Sequence, residues 1–160
     1  VAVDLRFVLA MLKINTDLER LGDFAEGLAR FVVKCEEPAL DPDLLKNIRL
    51  EEMFTQVLSM LETAKKALNE ESLELATSVF AKDNLIDEIN GEVTKKLVDY
   101  IGKNPESLSL CLNLISVFRK LERSGDHINN LAEEIVFYID AKVLKHQGKT
   151  DESYPQNNNK

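Results

Sequence analysis

Tryptophan is absent from this 160-residue chain, histidine and cysteine occur twice each, proline four times and glycine six times. Each scarcity excludes something. The two histidines, His127 and His146, sit in no hydrolase pattern, and no serine or cysteine stands beside either in a nucleophile–base arrangement. No glycine-rich phosphate loop is present. Catalysis therefore has little support. Cys35 and Cys111 are too few and too far apart for a zinc or redox motif. They read as structural free thiols suited to a reducing cytosol. No stretch approaches the ~20 apolar residues of a membrane span, and no signal-peptide pattern opens the chain. Basic residues are outnumbered, with a net charge of −8 and no Lys/Arg-rich stripe. That argues against a nucleic-acid partner and permits cations. The start, Val1-Ala2-Val3-Asp4, runs straight into a helical pattern without an initiator Met, which suggests a piece of a longer chain.

What is present favours helix throughout. Leu, Ala, Glu and Lys dominate, and few Gly or Pro interrupt them. Apolar residues at three- and four-residue spacing mark four long segments. The first runs from about Val3 to Lys34, with Val8, Met11, Leu12, Leu18, Leu21, Ala25, Leu28 and Val32 as its stripe. The second is expected from Pro42 to about Asn69, opened by Asp41 as N-cap with Pro42 at the first helical position. The third is expected from about Leu73 to Ile101, with Ser72 as N-cap and Gly102 and Pro105 ending it. The fourth is expected from about Glu106 to His146. The polar, aperiodic residues from Gly148 to Lys160 read as a disordered tail. No segment shows strand alternation. The expectation is an all-α antiparallel bundle.

One motif occurs twice. Leu18-Glu19-Arg20-Leu21-Gly22-Asp23 returns near the other end as Leu121-Glu122-Arg123-Ser124-Gly125-Asp126. Each copy puts two carboxylates one helical turn apart on the same face. A third such pair is Asp83/Asp87, in a segment where aspartate is a poor helix former. If the third and fourth helices pack antiparallel about the turn near Lys103-Asn104, Asp83 and Asp87 come level with Glu122 and Asp126. Four carboxylates would then converge on one seam. Such a group repels itself unless a cation lies among the oxygens. All-oxygen donors suit magnesium, manganese, calcium or iron. The Glu-x-x-His spacing of ferritin-like di-iron bundles is absent, and His127 turns about 100° from Asp126 on the helix. The plainer alternative is a solvated acidic face, with Arg20 and Arg123 in weak surface ion pairs. Glycine within a helix costs about 1 kcal/mol relative to alanine. Its recurrence between the carboxylates, at Gly22 and Gly125, favours a close approach of another helix or of a cluster.

The residues now resemble a known family. Val3-Asp4-Leu5-Arg6, Leu12-Lys13-Ile14 and Asp17 to Asp23 look like the first signature of the PhoU family. These are phosphate-transport accessory and regulatory proteins of bacteria. Leu121 to His127 and Ala132-Glu133-Glu134-Ile135-Val136-Phe137-Tyr138 resemble the second signature. The resemblance implies two repeated three-helix bundles. Residues 1–37 would then be the last helix of the first repeat, 38–147 the whole second repeat and 148–160 the tail. It also implies a multinuclear metal cluster, with iron or zinc foremost and manganese or magnesium behind them. The carboxylate pairs Glu19/Asp23, Asp83/Asp87 and Glu122/Asp126 would hold it, with Arg20, Arg123, Asn129 and Asn130 around them. The first pair would lack its partner helix. Ser124 stands where the family has an apolar residue.

The implied role is regulation rather than catalysis. Such a protein restrains phosphate uptake and the phosphate-starvation response. It would act on the ATPase subunit of the phosphate ABC transporter and on the sensor histidine kinase. It would be cytoplasmic and peripheral to the inner membrane through those partners. The alternative is a metal-free helical adaptor or oligomerisation module. A di-metal bundle enzyme would need a base, and none is apparent. Self-association is expected, because the first helix would otherwise expose an apolar face.

Overall fold

Helices α1 (Ala2–Lys34), α2 (Pro42–Asn47), α3 (Leu50–Glu70), α4 (Leu73–Lys103) and α5 (Leu108–Thr150) make up the fold, with a 3₁₀ turn at Pro105–Ser107 before α5. The computed structural model describes residues 2–34 and 40–150, with side chains for 4–33 and 40–140. Among the described residues there is no strand. Cys35, the side chain of His146 and residues 151–160 lie outside this description. The part of the expected tail that is described, residues 148–150, continues α5.

The helix boundaries follow from capping. Asp41 accepts a hydrogen bond from the Asp43 N–H at 2.9 Å, with Pro42 at the first helical position. Ser72 Oγ accepts from the Leu75 N–H at 3.2 Å and starts α4. Gly102 lies inside α4 rather than past its end, and Asn104 makes the cap. The single long helix expected over Pro42 to Asn69 is broken instead. Arg49 takes φ 57°, a left-handed conformation that disfavours a non-glycine residue by about 1–2 kcal/mol. Two things offset that cost. Ile48 is buried, and the Arg49 guanidinium donates to Glu52 of α3 and to Glu88 of α4. These carboxylates hold the guanidinium charged well beyond its ordinary range.

Helices α3, α4 and α5 form a three-helix bundle, and α1 packs along the outer side of α5. The core joins Met53, Val57 and Met60 of α3, Val79, Ile86 and Ile89 of α4, and Leu114, Phe118, Leu121 and Ile128 of α5. Full burial of each such side chain contributes roughly 1.5–3 kcal/mol. The α1 pairing is antiparallel. Phe7 meets Tyr138 at 5.2 Å between ring centroids, Lys13 Nζ lies 2.6 Å from Glu134, and the Arg123 guanidinium stands 5.4 Å over the Phe24 ring. The face of α1 used here is Ala10, Ile14, Asp17, Leu21, Phe24 and Leu28. Five of the eight residues of the expected stripe point elsewhere: Val8, Leu12, Leu18, Ala25 and Val32 are exposed, Val32 by 70%. The α1 helix carries two apolar faces, and the described residues cover one of them.

Candidate functional site

Asp83 and Asp87 project from α4, one turn apart, and Glu122 and Asp126 from α5 in the same relation. The antiparallel packing of α4 and α5 brings them to one seam. Ile86 is buried in the α4–α5 core, so its neighbour Asp83 is carried half under the surface. Asn129 Nδ2 of α5 donates to Asp83 Oδ2 at 2.6 Å. On the other side Asp83 stands against Gly125. A Cβ added at Gly125 would lie 2.9 Å from Asp83 Oδ1 and 3.1 Å from Ile86 Cδ1. The close helix approach expected at Gly125 is thus present, and its occupant is a carboxylate.

Burial and neighbouring acids act on two of the four carboxyls. The Asp83 carboxyl is pushed above the ordinary aspartate range, first by burial and then by the charges of Asp87 and Asp126, against the hydrogen bond from Asn129. Glu122 is likewise pushed up by burial, then by Asp126 and Asp87, with Arg123 opposing. Asp87 and Asp126 are exposed. Among the described residues, Asn129 Oδ1 is buried and has no hydrogen-bond partner. A buried acceptor without a partner is uncommon in folded proteins and calls for a water, an ion or a strain-based explanation.

In donor chemistry the seam fits a hard cation, because its four carboxylates offer only oxygen. In arrangement it is open. Among the described residues, no three His, Cys, Asp or Glu side chains stand close enough together to hold an ion as they are.

The other expected site residues lie apart from the seam. Glu19 and Asp23 are exposed on α1, and Arg20 pairs weakly with Asp23 at 3.6 Å. Among the described residues, a Cβ at Gly22, the repeat counterpart of Gly125, would meet nothing within 4 Å. Arg123 reaches the Phe24 ring of α1, and Asn130 Nδ2 donates to Asp17 Oδ1 at 3.4 Å. Both therefore help seat α1 on α5. A contact the sequence did not announce sits beside them: His127 Nδ1 and Asp17 Oδ1 are 2.7 Å apart, both side chains largely covered. The rotation of His127 away from Asp126 is what directs it to α1. A groove of about 990 Å³ between α1, α2, α3 and α5, walled by Phe31, Leu45, Leu50, Phe54 and Leu121, shares no residue with the acidic seam.

Against the family models, residues 50–135 match the PhoU domain. The chain belongs to the PhoU family. It is 35% identical to the phosphate-specific transport system accessory protein PhoU homolog 1 of Thermotoga maritima, over 88% of this chain and 60% of that protein. It is 33% identical to the PhoU homolog of Pseudomonas aeruginosa, over 93% of this chain and 61% of that protein. Its fold matches the crystal structure of PhoU from Pseudomonas aeruginosa with a TM-score of 0.77 at 31% identity, covering 88% of this chain and 66% of that one. The chain thus spans about three fifths of the length of the PhoU proteins it matches. The matched domain contains α3, α4 and most of α5, and with them the whole acidic seam. No helix among the described residues is long and apolar enough to cross a membrane.

Proposed function

We propose that this chain serves in the regulation of phosphate uptake and of the response to phosphate starvation. The support is its membership of a family whose relatives are named as accessory proteins of the phosphate-specific transport system. The partners proposed are the ATPase subunit of the phosphate ABC transporter and the phosphate sensor histidine kinase, approached at the cytoplasmic side of the inner membrane. The role is regulatory, with no catalytic step assigned to any residue.

The acidic seam is proposed as the metal-dependent part of this role. Asp83, Asp87, Glu122 and Asp126 would hold the metal, with iron or zinc foremost and manganese or magnesium behind them. One observation carries the reading: burial, and then neighbouring acids, raise the Asp83 and Glu122 carboxyls on two packed helices, near an amide oxygen that lacks a partner among the described residues. A bound cation would supply the positive charge that the seam lacks. The protein's own contribution is to hold α4 and α5 in register, through Ile86, Phe118 and Ile128, so that the two pairs face each other. Because no three acids are grouped as they stand, loading requires side-chain rotation. Glu19 and Asp23 would form a second such site only with a further helix laid over them.

The metal-free adaptor is kept as a second reading, because the acids are not grouped closely enough to hold an ion in their present rotamers. Elemental analysis of the purified protein before and after chelation, with a parallel thermal melt, separates the two. Stoichiometric metal whose removal lowers the melting temperature supports the metal reading. No bound metal, and no melting shift on adding iron, zinc or manganese, leaves the adaptor.

A further inference from the structure

The break at Arg49 has a reason of phase. The buried positions of α3 are Met53, Val57, Met60, Ala64 and Ala67. Carried back along an unbroken helix at about 100° per residue, Ile48 and Leu44 would fall about 140° and 180° from Met53, and Lys46 within about 20° of it. A straight helix would turn two apolar residues outward and a lysine inward. The left-handed backbone at Arg49 resets the phase, and Leu44 and Ile48 are buried. An α2 helix released from its place therefore gains nothing by continuing α3.

The polar contacts that hold α2 sit at its two ends. At the first, Asp41 Oδ2 accepts from the Tyr100 hydroxyl at 3.0 Å. At the second, Arg49 Nη1 donates to Glu88, while Nε and Nη2 fork onto Glu52 at 2.7 and 2.8 Å. Tyr100 and Glu88 both belong to α4 and stand about 18 Å apart along its axis, so α2 is clipped antiparallel to α4 at both ends.

We propose that α2 is a strap, latched to α4 by the pairs Asp41–Tyr100 and Arg49–Glu88, that opens as one unit about Arg49. The helix has only six residues, and a helix shorter than about 12–15 residues does not sustain itself in water. Loss of one clip therefore weakens the whole segment and not just the nearer end. Leu40, Pro42, Leu45 and Lys46 wall the groove on this side. An open strap widens the groove and bares Leu44 and Ile48.

The test is native-state amide hydrogen exchange on the full chain, read residue by residue over 43–49, with a melt of each variant to establish that it is folded. In the parent, α2 is expected to exchange faster than α3, α4 and α5. Tyr100→Phe and Glu88→Ala should each quicken exchange several-fold at Leu44, Leu45 and Ile48 alike, and leave the other helices unchanged. Arg49→Gly keeps the left-handed joint without steric cost but loses the clip, so it should behave like Glu88→Ala. Quickening confined to the end nearest each substitution means independent fraying and overturns the strap. So does parent exchange in α2 as slow as in α3, which would make α2 part of the global unit. Slower exchange across 47–51 in Arg49→Ala, with a gain in helix by circular dichroism, would show that α2 joins α3 instead of opening, and would overturn it too.

Discussion

Asp83 Oδ1 occupies the space that a side chain on Gly125 would fill, 2.9 Å from its Cβ position, while a Cβ at Gly22 would meet none of the described residues within 4 Å. Two glycines with the same sequence surroundings therefore have opposite tolerance to substitution. Gly22→Ala should stabilise the protein by about 0.4–1 kcal/mol, because the unfolded chain loses freedom and nothing in the fold is displaced. Gly125→Ala should destabilise it by about 1–3 kcal/mol, since Asp83 or Ile86 must shift in a packed seam. Urea unfolding of the two variants checks both signs, and equal effects would remove the distinction between the two motifs.

The raised carboxyls of the seam predict a pH dependence for the metal-free protein. Asp83 and Glu122 hold protons more firmly folded than unfolded. Their contribution is most favourable below the ordinary carboxylate range, near pH 4, and is lost as the pH rises through their elevated folded values. Asp41, Glu52 and Glu92 are shifted down and act in the opposite sense. The contrast with Asp83→Asn isolates the seam. In the presence of chelator, the stability gap between Asp83→Asn and the parent should widen in favour of the variant as the pH is raised from about 4 to 7. A gap that is flat with pH would mean that Asp83 titrates normally.

His127 and Asp17 tie α1 to α5 at 2.7 Å, in a seam where Asn130, Lys13 and Arg123 also act. Asp17→Ala should cost about 1 kcal/mol, the net worth of such a hydrogen bond. The loss should be local. Amide hydrogen exchange in α1 should quicken while α3 and α4 keep their protection, because α1 packs on α5 and leaves the three-helix bundle otherwise complete. Uniform quickening across all helices would make α1 part of one cooperative unit.

The uncovered face of α1 predicts self-association of the chain in solution. Leu5, Val8 and Leu12 recur at helical spacing and are 59%, 51% and 61% exposed. An apolar stripe of this kind is a contact surface in search of a partner. Sedimentation equilibrium should show association that rises with concentration, and replacing Val8 and Leu12 by Lys should lower it. A monomer at all concentrations would count against this face as a self-contact.

The helical class, the caps at Asp41 and Ser72, the duplicated motif and the carboxylate pairs were legible in the sequence, because each depends on neighbours within a turn or two. The level of Asp83 against Gly125 could also be read, since a short connection between antiparallel helices sets their register. The packing of the helices settles which copy of the motif meets an opposing pair. Glu122/Asp126 faces Asp83/Asp87, while Glu19/Asp23 is exposed on the uncovered side of α1. It also decided the break at Arg49, where ion pairs to Glu52 and Glu88 and burial of Ile48 outweigh a left-handed backbone. The burial of Ala10 and Ile14 rather than Val8 and Leu12 belongs with it. The exposure of Glu19/Asp23 and the burial of Ala10 and Ile14 share one cause, separate from that of the break at Arg49. Periodicity tells which residues share a face of a helix, but α1 offers two apolar faces, and docking on α5 through Asp17 and Phe24 selects one of them.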